Sequence, residues 1–171
     1  MQLTIVNCTS EIVNNIVSEK EILQKLTALC ARGEYCQHEM LEKMKRWQVD
    51  ESTQAKVMVY LTENGYVDDE RYARAFVNDK TKYNHWGRRK VEQGLWQKHI
   101  DNDIQQRVLG EVEDSLYVEV LRPLLQQKRR TTSASSPYEL NQKLMRFALS
   151  RGFTFNIIRQ CLDDVEEPEE D

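Results

Sequence analysis

The residues of this chain that could do chemistry are basic, and they are concentrated in two stretches. Residues 71–100 hold eight lysines and arginines beside two acids, Asp79 and Glu92. Residues 122–151 hold seven bases and a single acid, Glu139. Clustered Lys and Arg side chains attract phosphates and acidic protein surfaces. The chemistry that these stretches predict is therefore the recognition of an anionic partner.

Aromatic residues lie among the bases of the first stretch: Tyr72, Tyr83, Trp86 and Trp96. Such residues could stack on nucleic-acid bases. The alternative is that they pack in the core, which we expect for these four.

The order of charges in one helix has two interpretations. Arg88, Arg89 and Lys90 follow Gly87 and crowd the predicted first turn of a helix, where cations are unfavourable. Either a solvated surface tolerates them or a partner requires them there, and the sequence leaves both possibilities open.

Signatures of catalysis are absent from the sequence. There is no G-x-x-x-x-G-K-[ST] or G-x-G-x-x-G motif, and the three histidines, at positions 38, 85 and 99, are dispersed. Asp68-Asp69 and Asp101-Asn102-Asp103 stand at predicted helix starts, where capping explains them. We therefore expect no catalytic residue, no metal, no cofactor and no enzymatic activity.

The composition is that of a soluble helical protein. Hydrophobic residues make up 40% and charged residues 30% of the 171 residues, with only 3 Pro and 6 Gly. No membrane span or secretory signal is recognisable, so we expect a cytoplasmic protein. The four cysteines have no zinc-site spacing, and we expect reduced, mostly buried thiols at Cys8, Cys30, Cys36 and Cys161.

The net charge of −4 hides a strongly acidic end. Residues 161–171 contain seven acids and no base. This segment could compete with a partner for the basic surface, or it could aid solubility.

The elements that position the bases follow from an internal repeat of about 51–53 residues. Apolar residues recur in three copies, and the predicted N-caps Asp50, Asp101 and Thr154 recur with them. This spacing predicts an all-α protein of three tandem three-helix repeats, stacked into an elongated, curved array. The corresponding apolar sets are Met40, Val91 and Leu144; Met44, Leu95 and Ala148; Val49, Ile100 and Phe153; and Val57, Val108 and Cys161.

The predicted boundaries are an N-terminal extension at 1–18, repeats at 19–66, 67–110 and 111–165, and an acidic tail at 166–171. In the third repeat we expect a helix over about 111–128 that Pro123 kinks or interrupts. A polar loop should follow from Lys128, and Ser136-Pro137 should start the next helix.

Four segments resemble motifs of the RecX family of recombinase regulators. Residues 65–76, GYVDDERYARAF, are similar to the family's G-Y-[LIV]-[ND]-D-x-[RK]-[FY]-A-x-x-[FWY] motif. Residues 87–91, GRRKV, resemble its G-x-x-[RK]-[IL] helix start, and residues 143–153 its R-F-L-x-R-G-F segment. Residues 28–39 resemble its opening motif, with Cys36 in place of the capping Ser. Gln48 and His99 stand where the family has Gly, which puts the turn geometry in doubt.

This resemblance implies a cytoplasmic bacterial protein that binds the RecA recombinase filament on single-stranded DNA, and we expect the protein to be a monomer. It implies inhibition of ATP hydrolysis, strand exchange and coprotease function, and it is compatible with direct DNA contact. The residues that we expect to contact the partner or DNA are Arg71, Arg74, Lys82, Arg88, Arg89, Lys90, Lys128, Arg129, Arg130, Arg146 and Arg151. Those that we expect to shape the repeats are Gly65, Asp68, Asp69, Tyr72, Phe76, Gly87, Gly152 and Phe153.

Two other functions remain open at this point. The chain could bind DNA directly without a recombinase, in which case its affinity should fall steeply with salt. It could also be a helical scaffold for a different protein.

Overall fold

The structure, a computed structural model, describes residues 18–163. The N-terminal extension apart from Ser18 and the whole acidic tail lie outside the described residues, as does Cys8. The described residues form nine α-helices and no strand, which confirms the all-α prediction. The chain divides into two compact units, residues 1–67 and 68–171.

The described residues of the first unit form three helices, with α3 packed against both α1 and α2. Its core is formed by side chains that include Ile22, Leu26, Met40, Met44 and Val57. The helices are α1 (Glu19–Cys30), α2 (Gln37–Arg46) and α3 (Glu51–Glu63).

Residues 68–163, the described part of the second unit, form six helices in two groups of three. Helices α4, α5 and α6 pack on one another, as do α7, α8 and α9, and α4 also contacts α7. We call these groups the second and third repeats. Their helices are α4 (Asp69–Lys82), α5 (Arg88–Gln97), α6 (Asn102–Gly110), α7 (Asp114–Thr131), α8 (Pro137–Ser150) and α9 (Phe155–Asp163).

The apolar positions of the internal repeat lie in the cores, apart from Val49, which is half-buried at the edge of its core. Met40, Val91 and Leu144 are each at most 1% exposed. The sets that begin with Met44 and Val57 are equally buried in every copy. Burial of corresponding residues in all three copies confirms that the sequence period reflects a structural unit.

The turn after the second helix of each repeat has the same geometry in all three copies. Gln48, His99 and Gly152 adopt left-handed backbone angles, with φ of 57°, 54° and 87°. In each copy the next residue, such as Ile100, donates its N–H to a carbonyl five residues earlier, at 3.0–3.2 Å. This Schellman bond satisfies a carbonyl at the helix end. The family's glycine position therefore keeps its conformation even where Gln or His replaces it.

A buried glutamine supports this turn in two of the repeats. Gln54 and Gln105 occupy corresponding positions, and each donates from Nε2 to a carbonyl oxygen 2.7 Å away, that of Val49 or Ile100. Ile158 occupies the position in the third repeat, where it is fully buried.

The predicted caps are present at four helix starts. The carboxylates of Asp50, Asp68 and Asp101 accept backbone N–H bonds of 2.9–3.0 Å, and Ser136 Oγ accepts one of 3.2 Å. These bonds satisfy amides that the helix itself leaves free.

The first helix of the third repeat differs from the prediction. It starts at Asp114, because Glu111 caps the C-terminal end of α6, and it runs through Pro123 to Thr131 without interruption. Residues 128–131 are therefore helical, and the polar loop is shorter than predicted. Tyr117, which the apolar pattern missed, is a core residue with 1% exposure.

Candidate partner-binding surface

The second and third repeats meet through direct backbone contact between two glycine positions. The Gly87 N–H donates to the Arg151 carbonyl at 2.8 Å, and the Arg89 N–H donates to the Gly152 carbonyl at 3.0 Å. A Cβ on Gly87 would lie 2.2 Å from the Phe153 nitrogen. A Cβ on Gly152 would lie 2.4 Å from the Lys90 Cβ. Only glycine permits this approach.

This contact offers an electrostatic reason for the cations at the start of α5. The carbonyls that meet this helix start belong to the end of α8, which carries partial negative charge. The two helix ends offset each other, so Arg88, Arg89 and Lys90 do not face an isolated positive helix end. This is a third explanation beside the two that the sequence left open.

Two lysines lie over the ring of Trp86 in the second repeat. The Nζ atoms of Lys80 and Lys90 are 5.0 and 4.7 Å from its centroid, within cation–π range. Phe76 supports the ring from an edge at 6.5 Å, and Gly94 leaves room for Phe76.

The third repeat contains a matching arrangement around Phe147. Lys128 Nζ lies 5.2 Å and the Arg151 guanidinium carbon 5.3 Å from its centroid. Arg151 also donates from Nη1 to the Asn84 carbonyl at 3.4 Å, which joins this arrangement to the residues preceding Trp86. We call the whole set the cation–aromatic band: Lys80, Trp86, Lys90, Lys128, Phe147 and Arg151.

The four cations of the band keep their charge unbalanced. Among the described residues, none of them forms an ion pair with a carboxylate. An aromatic ring attracts a cation without neutralising it, so the positive potential of the band extends to solvent.

Arg74, by contrast, is held in a network of ion pairs. Its guanidinium donates to both Glu111 carboxylate oxygens, at 2.9 and 2.8 Å, and to Glu70 at 2.6 Å. Arg107 also pairs with Glu70, at 3.1 Å. The hydrogen bonds that Arg74 donates to Glu111 and then to Glu70 raise the pKa of Arg74, and the bond from Arg74 lowers the pKa of Glu111. We call Glu70, Arg74, Arg107 and Glu111 the ion-pair network.

Arg88 has a structural role inside the second unit. Its Nη1 donates to the Leu109 carbonyl at 3.1 Å, near the end of α6. Burial raises the pKa of the nearby Tyr117 hydroxyl, and the positive charge of Arg88 opposes this shift. The side chain therefore points into the fold and not towards a partner.

The remaining predicted contact residues lie in different settings. Arg129 donates to Asn141 Oδ1 at 3.3 Å, and Arg146 to the Gln142 carbonyl at 3.3 Å. Among these remaining residues, the ones exposed at the surface are Arg71, Lys82, Arg89, Arg130 and Arg146. The structure thus brings Lys90, Lys128 and Arg151 together and assigns Arg74 and Arg88 to contacts within the fold.

The expectation that the aromatics of the basic stretch pack in the core is only partly correct. Tyr72 is 7% exposed and packs near Phe76, but Tyr83 and Trp96 are 75% and 71% exposed. The prediction was wrong for these two, because each lies on the outward side of its helix or at its end. Sequence reasoning also missed Lys80 and Phe147 as members of the site. Lys80 meets the Trp86 ring, and Phe147 meets Lys128 and Arg151, only when the second unit is folded.

Two family models match this chain within the second unit. Residues 68–109 match the model described as RecX, second three-helix domain, and residues 115–162 match RecX, third three-helix domain. The chain belongs to the RecX family.

Curated RecX proteins support this assignment. The chain is 32% identical over 120 residues to the regulatory protein RecX of Clostridium botulinum strain Alaska E43, covering 68% of this chain and 55% of that relative. It is 28% identical over 140 residues to RecX of Acinetobacter baylyi, covering 82% of this chain and 85% of the relative. The chain thus spans about half the length of the C. botulinum relative.

A solved RecX structure has the same fold. The crystal structure of RecX from Lactobacillus salivarius superposes with a TM-score of 0.79 and covers 86% of this chain and 96% of that one, at 19% identity. At this identity the likeness supports the fold alone. Within the described residues, no helix is both long and apolar enough to span a membrane.

Proposed function

We propose that this RecX family member binds the RecA recombinase filament on single-stranded DNA and inhibits it without catalysing a reaction. The inhibited activities would be ATP hydrolysis, strand exchange and coprotease function, and the protein would act in the cytoplasm as a monomer without a cofactor. The observation that carries the proposal is the cation–aromatic band, an unbalanced positive surface in a member of a family of regulatory proteins.

The band offers a physical means of binding such a filament. Its four cations can meet acidic side chains of the recombinase, DNA phosphates or both. The predicted contact residues Lys82, Arg89 and Arg130 are exposed and could extend the contact. A filament presents many equivalent sites, so modest contacts can suffice for inhibition when molecules bind along it.

The test is the ATPase rate of the cognate recombinase on single-stranded DNA, titrated with this protein. We expect turnover to fall, and we expect the protein to co-sediment with the filament. A reaction with heat-denatured protein controls for non-specific effects. Unchanged turnover with an intact filament at saturating protein would contradict the proposal.

A second candidate function is direct binding of DNA without recombinase. The observation in its favour is that Tyr83 is 75% exposed at the end of α4, the helix that contributes Lys80 to the band. Affinity for a single-stranded oligonucleotide should then fall steeply with salt in the absence of any other protein. No detectable binding at low salt would exclude it.

A further inference from the structure

The second unit contains a cavity of about 260 Å³ between α4, the residues that connect α6 to α7, and the start of α7. Most of its wall is apolar, and no member of the cation–aromatic band is among the described residues that line it. Val77 and Val108 in this wall belong to the core, whereas Val112 and Leu116 are only half-buried. The cavity is therefore a surface feature that the proposed function does not use.

One polar residue in the wall, Thr81, has a hydroxyl group without a partner. Thr81 is fully buried, and its Oγ1 forms no hydrogen bond within residues 18–163. Other helical threonines of this chain donate to the carbonyl four residues earlier, Thr27 at 2.8 Å and Thr62 at 2.9 Å. Because a buried hydroxyl that stays unpaired costs free energy, an occupant of the cavity that bonds to Thr81 would recover that cost.

The charged residues around the cavity carry both signs. Arg74 and Glu111 pair with each other at 2.8 Å, and the exposed Lys82 and Glu113 add one charge of each sign. Since these charges balance, a phosphate backbone gains no net attraction here, in contrast to the band. The surroundings of the cavity suit an uncharged group that is carried by a polar chain, as the side chain of a protein is.

The volume of the cavity also indicates the kind of occupant. Sites for small molecules usually enclose about 300–1,000 Å³, and this cavity is smaller, at about 260 Å³. Protein interfaces commonly place single tryptophan, tyrosine or arginine side chains in such pockets. Tyrosine joins an apolar ring to a hydroxyl that both donates and accepts hydrogen bonds. These properties match an apolar wall that contains one unpaired hydroxyl.

We propose that this cavity binds one tyrosine side chain of a protein partner, with the ring against Val77 and Val108 and the phenol hydroxyl bonded to Thr81 Oγ1. Because Thr81 is fully buried, side chains at the opening must turn aside as the ring enters, a rotamer change of the kind that is common at interfaces. The inference goes beyond the proposed function, since it does not require the partner to be a recombinase.

NMR titration of the full chain with single-residue probes tests the site directly. The probes are N-acetyl-tyrosine amide and N-acetyl-phenylalanine amide, which differ only in the hydroxyl, and the protein carries ¹³C-labelled Val, Leu and Thr methyl groups. We expect saturable shifts of the methyl groups that line the cavity and about three- to tenfold tighter binding of the tyrosine probe. Absence of saturable shifts at these methyl groups, or equal affinity for the two probes, would overturn the proposal.

Two further probes separate the proposed occupant from its alternatives. Free p-cresol presents the same phenol but lacks amides that can contact Asn78 and Lys82 beside the cavity. N-acetyl-tryptophan amide presents a larger ring whose N–H only donates. We expect both to bind more weakly than the tyrosine probe. Equal or tighter binding of p-cresol would indicate a site for a free small molecule, and equal or tighter binding of the tryptophan probe a different side chain; either result would overturn the proposal.

Thr81→Val removes the unpaired hydroxyl and keeps the shape of the side chain. We expect this variant to lose the preference for the tyrosine probe, while its urea midpoint equals or exceeds that of the wild type because no hydrogen bond is lost. Thr62→Val is the matched control, since the Thr62 hydroxyl bonds to the Met58 carbonyl, and it should leave the preference unchanged. Retention of the preference by Thr81→Val, or its loss in Thr62→Val, would overturn the proposal. None of these measurements uses a recombinase or DNA, so their failure is distinguishable from failure of the proposed function.

Discussion

The ion-pair network and the cation–aromatic band both lie in the second unit, but they differ in how the charge of their basic residues is balanced. In the network, Arg74 contacts two carboxylates at 2.6–2.9 Å, and its charge is offset locally. In the band, Lys90 and Lys128 lie over aromatic rings at 4.7 and 5.2 Å and retain their charge.

This difference shows that a count of basic residues does not locate a binding surface. A cation whose charge is already offset has little left for a partner, and breaking its ion pairs has a cost. A cation over a ring is oriented without being neutralised. We therefore expect changes in the network to affect stability and changes in the band to affect binding.

The largest loss of stability should come from Gly87→Ala. This substitution disrupts the backbone contact between the second and third repeats, which holds the two halves of the band together. The new Cβ would lie 2.2 Å from the backbone nitrogen of Phe153, which cannot yield as a flexible side chain could. We expect the free energy of unfolding, measured by urea titration, to fall by about 3 kcal/mol or more. Gly110→Ala is the control, since nothing lies within 4 Å of its Cβ. Equal stability of both variants would show that the junction is not closely packed.

Arg88→Met should cause the next largest loss, because it removes the donor to the Leu109 carbonyl. We expect about 1–3 kcal/mol of lost stability in the same urea assay. Arg89→Met, at the exposed neighbouring position, should stay within about 0.5 kcal/mol. If Arg89→Met proved the more destabilising, our division between fold-directed and partner-directed cations would be wrong.

Gln105→Leu gives the second repeat an apolar side chain at the position where the third repeat has Ile158. It therefore tests whether the turn in the second repeat needs the glutamine. Loss of the 2.7 Å bond should leave the buried Ile100 carbonyl without its side-chain donor, at about 1 kcal/mol. Gln106→Leu, at an exposed position of the same helix, provides the control. A neutral effect of Gln105→Leu would mean that the turn needs no such support, as in the third repeat.

The smallest effect should come from the partly exposed ion pair of Glu139 and Lys143 in the third repeat. The Lys143 bond, with help from Ser135, lowers the pKa of Glu139 from its usual 4.5 to about 2. Because the folded value is the lower one, the contribution to stability is complete above about pH 4.5 and is lost as the pH falls towards 2.

Thermal melts between pH 2 and 7 check this prediction, with Glu139→Gln as the variant that cannot titrate. The wild-type melting temperature should exceed that of the variant slightly at neutral pH and converge with it in acid. A constant difference across the range would contradict the assignment.

The repeat and its core could be read from the sequence because they depend on local periodicity. Spacing alone placed Met40, Val91 and Leu144 in the cores, and the aspartates at helix starts act as caps. The left-handed angles of Gln48 and His99 were in doubt, because residue type argues against them and only the requirement of the repeat imposes them.

The roles of the cations could not be read in this way. Arg74 binds Glu111, which lies 37 residues away in the sequence, and Arg88 binds the Leu109 carbonyl, 21 residues away. Arg151 binds the Asn84 carbonyl, 67 residues away. No sequence period connects such partners. The sequence therefore cannot distinguish a cation that forms an ion pair within the fold from one that forms none; only the packed helices do.

The most direct test of this account compares two variants that each lose two positive charges. Lys90→Gln with Lys128→Gln alters the band, and Arg74→Gln with Arg107→Gln alters the ion-pair network. In the recombinase ATPase assay we predict that the band variant needs at least about tenfold more protein for half inhibition, a cost of about 1.4 kcal/mol, while the folded network variant inhibits like wild type. Equal inhibition by both variants, or greater loss in the network variant, would contradict the account.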